Sequence, residues 1–348
     1  MITYSLKVEK LKKETEDTLT IFFKQPALKK VKYLPGQYLT LIFRINGRRY
    51  IRPYSFSSAP GIDTTINVTV KRVPGGIVSN HILDKVQAGD IIEVMPPIGD
   101  FILPDEATIK GKHIVLWGSG SGITPLLSIA KYTLHNKLAD HLTLVYGNRN
   151  IESTIFNSEI NELKNDFANT FSVWHFHTRA VIDDNSHIVQ GRIDPDKILA
   201  VLQTEGELSK TLHYICGPVG LKESVSSKLI EFGVSQDHIY TEDFEIVRDP
   251  KDFNDIFTQN IILEKEGQST VLEVVKGKSI LEACMDSGIE MLYSCQTGNC
   301  LLCRATLLSG SVKAIGIDTI PEEIGQDECL LCCSFPITDN VKVSIKNR

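Results

Sequence analysis

The sequence predicts a multidomain chain: an antiparallel β-barrel, then a parallel α/β domain, then a small β-grasp domain. Three observations predict it. Period-two strands flank Asn46-Gly47, a glycine loop joins an apolar strand to a helix after His113, and Cys295, Cys300 and Cys303 fall within nine residues. At 348 residues the chain exceeds one ordinary domain of about 100–200 residues. Its 42% hydrophobic and 23% charged residues are those of a globular protein. Residues 1–104 carry 15 Lys+Arg against 9 Asp+Glu, whereas 105–248 carry 13 against 19 and 249–348 carry 9 against 15. Excesses this small point to no nucleic acid. The opening MITYSLKVEKL is charged where a signal peptide needs an apolar core, and no run of about 18 apolar residues suggests a membrane span, so the expected location is the cytoplasm. Disulfides are not expected there.

Residues 1–104 read as the barrel. LTLIFRI and RRYIRPYSF flank Asn46-Gly47, a two-residue hairpin signal, and TINVTVKRV alternates with period two. Within RPYS, Arg52 can pair with a phosphate, the Tyr54 ring can cover a flat heterocycle, and the Ser55 hydroxyl can hydrogen-bond to it. An ordinary strand can carry the same residues. VPGGIVSNHIL adds weight, because Gly75-Gly76 precede a helix expected from about Ser79, whose first N–H groups would hold a pyrophosphate.

Residues 105–246 read as the α/β domain. KHIVLWGSGSGITPLLSIA is a strand ending at Gly118, a loop with Ser119, Gly120 and Gly122, and a helix with Thr124 as N-cap and Pro125 in its first turn. It is not the dinucleotide fingerprint, since Ile123 and Pro125 stand where a third glycine is required. The strands HLTLVY, TFSVWHF, TLHYIC and HIYTEDF then alternate with helices, Ile155 to Phe167 and Leu221 to Phe232 among them, which predicts a parallel sheet. Cys216-Gly217-Pro218 ends TLHYIC, at a carboxyl strand end where such sheets bind ligands; a buried structural cysteine reads the same way. LTLVY runs into Gly147-Asn148-Arg149 with no acidic residue for a ribose 2′-hydroxyl, and Arg149 suits a 2′-phosphate or is a surface cation.

VRDPKDFND, within 247–258, reads as a linker. Residues 259–348 give a hairpin about Gly267 and a helix opened by the capping box Ser279-x-x-Glu282 and ended by Gly288. The cysteine spacing, four residues then two, is the plant-type [2Fe-2S] pattern, whose fourth thiolate comes from a distant strand; Cys329, Cys332 and Cys333 are candidates. A zinc ribbon from Cys300/Cys303 and Cys329/Cys332 competes, but leaves Cys295 unused. No histidine follows His238, which excludes Rieske ligation.

The cysteine loop with LLCCSFP, residues 330–336, resembles the ferredoxin domain of flavin-containing reductases. The resemblance implies a fourth ligand four residues before Pro336, at Cys332, and departs at Leu301, where such loops carry a small residue, a difference that bears on cluster shielding. RPYS, the Gly75-Gly76 segment and the ending Gly89-Asp90, Pro96-Pro97, Gly99 and Phe101 resemble the flavin barrel of the ferredoxin-NADP reductase superfamily, and GxGxTP resembles its NAD(P)H domain. This implies FAD on Arg52, Pro53, Tyr54, Ser55, Val70, Lys71, Gly76, Ile77, Val78 and Ser79. It implies NADPH, or NADH, on Gly118, Ser119, Gly120, Gly122, Ile123, Thr124, Pro125, Asn148, Arg149, Gly217 and Pro218. Cys216 is placed beside the nicotinamide, and Glu242 and Phe244 near the flavin, although a final amphipathic strand would look similar. The implied activity passes electrons from NAD(P)H through FAD and a cluster on Cys295, Cys300, Cys303 and Cys332 to a redox partner such as an oxygenase, a desaturase or the hybrid-cluster protein. Two alternatives remain: an FMN-dependent, NADH-linked dioxygenase reductase, and an iron-sulfur sensor without turnover. FAD is favoured over FMN because the segment from Gly76 to Ser79 offers a second phosphate cradle.

Overall fold

A computed structural model of the protein describes residues 3–27, 30–179, 188–317 and 319–345. The first sheet contains β1 (Tyr4–Thr15), β2 (Thr18–Phe23), β3 (Tyr38–Ile45), β4 (Arg48–Ser55), β5 (Ile66–Lys71) and β6 (Ile91–Val94), in the order β4-β3-β6-β1-β2-β5. Asn46 and Gly47 take φ of 51° and 77°, the left-handed pair of a type I′ turn, whose twist matches that of the strands it joins. A bridge from Phe56 to Val68 brings the chain beyond β4 onto β5 and closes the barrel. Leu6, Val8, Ile21, Phe23, Leu39 and Ile51 fill its interior. Helix α1 (Ile77–Lys85) starts two residues before Ser79, because the Ser79 hydroxyl accepts from the Val73 N–H at 3.1 Å instead of capping the helix; Gly76 is the N-cap.

After the short α2 (Glu106–Ile109) come β7 (His113–Ser119), α3 (Ile123–Asn136), β8 (His141–Asn148), α4 (Asn157–Asp166), β9 (Phe171–His177), β10 (Ile188–Gln190), α5 (Pro195–Leu202), β11 (Thr211–Cys216), α6 (Leu221–Glu231) and β12 (Ile239–Glu242). The sheet order is β10-β9-β8-β7-β11-β12 and its pairs are parallel. Burial on both faces explains the near-continuous apolar strands. Leu116, Leu144 and Tyr146 pack with α3 and α4 side chains such as Leu126 and Leu163, while Val115, Trp117 and Val145 pack with Ile198 of α5 and Val225 of α6. Strand order reverses at β7, so a crevice lies beyond the carboxyl ends of β7 and β11.

The last region has β13 (Gln259–Lys265), β14 (Gln268–Val274), α7 (Ile280–Asp286), β15 (Arg304–Ser309), β16 (Val312–Ala314), β17 (Glu328–Leu330), β18 (Ser334–Pro336) and β19 (Lys342–Ile345). Its main sheet runs β14-β13-β19-β15-β17, with β13 and β19 parallel, and β16 pairs with β18. Ser279 and Glu282 form the reciprocal capping box of α7.

The chain packs as two compact units: Tyr4–Leu41 with Tyr54–Asp243, and Ile42–Pro53 with Phe244–Arg348 plus Met1–Thr3. The first is knitted together by polar contacts between the barrel and the α/β region. The Ser128 hydroxyl donates to the Ser58 carbonyl at 2.6 Å, and Lys131, 5% exposed, pairs with both Asp63 and Glu159. In the second, the segment expected to be a linker is structured. Phe253 meets the Phe335 ring edge-on at 5.2 Å, Ile256 is buried with Ile315, and Arg248 pairs with Glu282 at 3.1 Å. The charges that suggested a solvated tether are used in ion pairs, Lys313 with Asp255 at 2.8 Å among them. Among the described residues no helix is long and apolar enough to cross a membrane.

Candidate functional site

The glycine loop after β7 and the segment after β11 meet at the strand-order reversal. Gly118 pairs with Cys216, and a Cβ on Gly122 would stand 2.0 Å from the Cys216 carbonyl oxygen and 2.8 Å from the Gly217 nitrogen, so no larger residue fits there. Gly122 is also the N-cap of α3. Thr124 is therefore not the cap; it lies inside the first turn and its hydroxyl donates to the Ser121 carbonyl at 3.1 Å. The turn contains Ile123, Thr124 and Pro125, all buried. Ser119 ends β7, and the Tyr146 hydroxyl ties down the loop by donating to the Gly120 carbonyl at 2.9 Å. At the end of β8, Asn148 has a buried side-chain amide nitrogen with no hydrogen-bond partner of good geometry among the described residues, and Arg149 is exposed. Loop backbone, a buried amide nitrogen and an exposed guanidinium at the carboxyl ends of β7 and β8 are groups that fit a pyridine nucleotide.

Cys216 is 1% exposed, and its thiol lies in the core with Phe101, Leu126 and Tyr214. Burial, then the carboxylates of Glu242 and Asp243, push its pKa well above the usual value. It is a neutral thiol, not a nucleophile. Glu242, half-buried, ends β12 in register with Cys216. Phe244 lies past the strand, 45% exposed.

On the barrel, Tyr54 is half-buried and Ser55 buried at the end of β4, while the Arg52 guanidinium donates to the Ile51 carbonyl at 2.8 Å and Pro53 is half-exposed. Helix α1 starts without a side-chain cap; the Gly76 N–H donates to the Val73 carbonyl at 2.9 Å, and the N–H groups of the first turn, from Ile77 on, are the ones that suit an anion. Val78 and Ser79 point inward. Arg72 anchors this helix to β5 through Asp84 and Asn80, each at 2.5 Å. Of the other residues implied for FAD, Val70 is 1% exposed, so only its backbone is left to offer, and Lys71 lies 3.6 Å from Asp17. A cap-free helix start and a half-buried tyrosine are groups that suit a flavin with its phosphates.

The N–H groups of Thr297 and Cys300 point at the Cys295 sulfur at 3.3 and 3.4 Å, and the sulfurs of Cys332 and Cys333 lie 3.4 Å apart. The Cys300 thiol, then Thr297, hold the Cys295 thiol below the usual cysteine range, whereas sulfur neighbours, then burial, push Cys300 and Cys303 above it. Gly298 has φ of 89°, and its missing Cβ would stand 3.1 Å from the Cys333 sulfur. Leu301 also takes a left-handed φ of 58°, turning the loop between Cys300 and Cys303. Cys329 is aligned with Ala305 on β17 and lines a cavity of about 200 Å³ with Leu307 and Ile320. Among the described residues no three His, Cys, Asp or Glu side chains converge on one ion position. Cys295, Cys300, Cys303 and Cys332 supply four thiols, the number a [2Fe-2S] cluster takes.

Residues 5–102 match the oxidoreductase FAD-binding domain family, 116–227 the oxidoreductase NAD-binding domain family and 263–337 the 2Fe-2S iron-sulfur cluster binding domain family. The chain is 30% identical over 354 residues to one of the subunits of the Escherichia coli 1,2-phenylacetyl-CoA epoxidase, covering 98% of this chain and 97% of the other. It belongs to the ferredoxin-NADP reductase superfamily. The reductase is also 31% identical over 356 residues to the ferredoxin reductase component of the Rhodococcus rhodochrous 3-ketosteroid-9-alpha-monooxygenase, covering 97% and 95% of the two chains. Its fold matches solved phthalate dioxygenase reductase with a TM-score of 0.69 at 23% identity, over 99% and 98% of the chains. The FAD/NAD binding domain of Vibrio cholerae nitric oxide dioxygenase, TM-score 0.58 at 24% identity, covers 68% of the reductase and 97% of that chain. The protein is an NAD(P)H-dependent oxidoreductase whose cofactors are FAD and a [2Fe-2S] cluster.

Sequence reading missed Tyr146, Arg72, Asp84 and the Lys131 trio. Each acts through a partner far along the chain, Lys131 and Asp63 being 68 residues apart, and no local pattern marks them. Only the tyrosine at the end of LTLVY, next to the glycine-loop strand in a parallel sheet, carried a usable signal.

Proposed function

We propose that the reductase takes electrons from NADPH and delivers them singly to a partner oxygenase. The observation that carries this is the end-to-end likeness to a component of an epoxidase and to the ferredoxin reductase component of a monooxygenase. Those relatives favour an oxygenase over a desaturase or the hybrid-cluster protein. When bound, the flavin would accept the electron pair of one hydride and release it one electron at a time, and the cluster would carry one electron. The protein's own residues bind and orient. Gly122 brings the start of α3 against Cys216, where loop N–H groups would hold a pyrophosphate; the α1 N-terminus would hold the flavin phosphates, and Tyr54 would cover the flavin ring. Phe244, exposed, and Glu242 would act near the flavin. Cys295, Cys300, Cys303 and Cys332 hold the irons. No side chain is needed as nucleophile or general base.

The order is tested by anaerobic stopped flow after mixing with NADPH. Flavin absorbance should bleach before cluster absorbance, and protein stripped of flavin should show no cluster reduction; cluster bleaching that comes first would overturn the order. The preference for NADPH is proposed to rest on Arg149. Exposed at the end of β8, its carbonyl accepts from the Arg179 N–H at 2.7 Å, which puts a second arginine at the same sheet edge. Arg149→Ala should lower kcat/KM for NADPH about tenfold, or ~1.4 kcal/mol, and leave NADH unchanged. Equal values for both nucleotides in wild type and variant would remove the assignment.

A further inference from the structure

Cys333 has no role in the four-cysteine site, yet it is 1% exposed and its sulfur lies 3.4 Å from that of Cys332. Two sulfurs on one tetrahedral metal with bonds near 2.3 Å lie about 3.8 Å apart, so the two thiols are already as close as ligands of a common ion. Cys333 also faces the cysteine loop, since a Cβ on Gly298 would be 3.1 Å from its sulfur. The backbone here is held at several points. The Leu331 N–H donates to the Cys303 carbonyl at 3.1 Å, the Cys333 N–H to the Leu330 carbonyl at 3.0 Å, and the Ile315 N–H to the Cys333 carbonyl at 2.9 Å. Moving from one sulfur to the other therefore requires side-chain rotation, not a register shift. Cys329 offers no such alternative: on β17 it is paired with Ala305 of β15, and its thiol lies beside Ser334.

We propose that Cys333 is an exchangeable second ligand for the iron held by Cys332. This rests on the reading that Cys295, Cys300, Cys303 and Cys332 hold the cluster. In the exchange the iron–sulfur bond to Cys332 breaks, one to Cys333 forms, and the Cys333 thiol proton passes to the Cys332 sulfur. Iron oxidation states do not change and no oxidant is needed. The consequence is a cluster that outlasts release of its fourth ligand.

The test uses full-length protein purified anaerobically as wild type, Cys333→Ala, Cys332→Ala, the double alanine variant and Cys329→Ala. Alanine is chosen because a serine oxygen can itself bind iron. Iron and acid-labile sulfide are measured per bound FAD, which counts folded chains, and the dithionite-reduced protein is examined by electron paramagnetic resonance. Cys333→Ala and Cys329→Ala should match wild type. Cys332→Ala should keep roughly half or more of the iron and sulfide with shifted g-values, and the double variant should lose about tenfold. With a chelator present, Cys333→Ala should lose its cluster severalfold faster than wild type. If Cys332→Ala is as empty as the double variant while still holding FAD, or if Cys333→Ala resists the chelator as wild type does, the exchange is overturned and the four-cysteine reading stands. If Cys333→Ala is empty and Cys332→Ala is full with an unshifted signal, the four-cysteine reading itself fails.

Discussion

A chain ending at Glu245 should bind FAD and reduce ferricyanide with NADPH as the full-length reductase does, yet lose reduction of one-electron protein acceptors to background. The barrel and α/β regions carry the nucleotide-binding features and share a core of polar ties, Ser58 with Ser128 and Asp63 with Lys131 and Glu159. A solved structure of this fold stands without a cluster domain. The cut belongs at Glu245 because Ile246 already packs on the cluster domain: its Cγ2 lies 1.9 Å from where a Cβ on Gly316 would be. Removing that domain takes Glu290 from Arg44, a pair 54% and 61% exposed and so worth under ~1 kcal/mol. A cut before Asp255, in the middle of the apparent linker, would strand Phe253 away from Phe335. The fragment starting at Ile246 should accordingly hold more iron and sulfide than one starting at Asp255. Sustained reduction of a protein acceptor by the truncated chain would show that the cluster is not the exit point.

Gly122→Ala should lower kcat/KM for NADPH by about 100-fold while FAD stays bound, because displacements near 1 Å in a positioned site cost on that order. The added carbon would overlap the Cys216 carbonyl, and backbone on both sides must move. The start of α3 and the Cys216-Gly217 turn are the two walls of the proposed nucleotide crevice, and the added carbon pushes on both. Ser121→Ala, one residue away, serves as the control and should leave the constant unchanged. Flavin reduction by NADPH is the readout, and a variant that reduces its flavin at the wild-type rate would place the nucleotide elsewhere.

Local chemistry made much of this protein legible in its sequence. Asn46-Gly47 specifies a type I′ turn because both positions tolerate positive φ, Ser279 and Glu282 cap a helix within one turn of themselves, and the apolar strands of a sheet covered on both faces need no partner to be recognised. The cysteine spacing gave the cluster type for the same reason: three of its ligands lie on one loop. Features that depend on distant partners were decided by tertiary structure alone. Thr124 looked like a cap, but close approach to Cys216 makes Gly122 the residue at the helix start. The polar stretch after Phe244 looked like a tether, but its aromatic and charged side chains have partners in a domain that begins later in the chain. Lys131 carries no signal of its own in the sequence, and it is buried between Asp63 of the barrel region and Glu159 of α4. Interactions within a few residues are written where a linear pattern can show them; a contact across tens of residues exists only once the chain has folded and brought its two ends together.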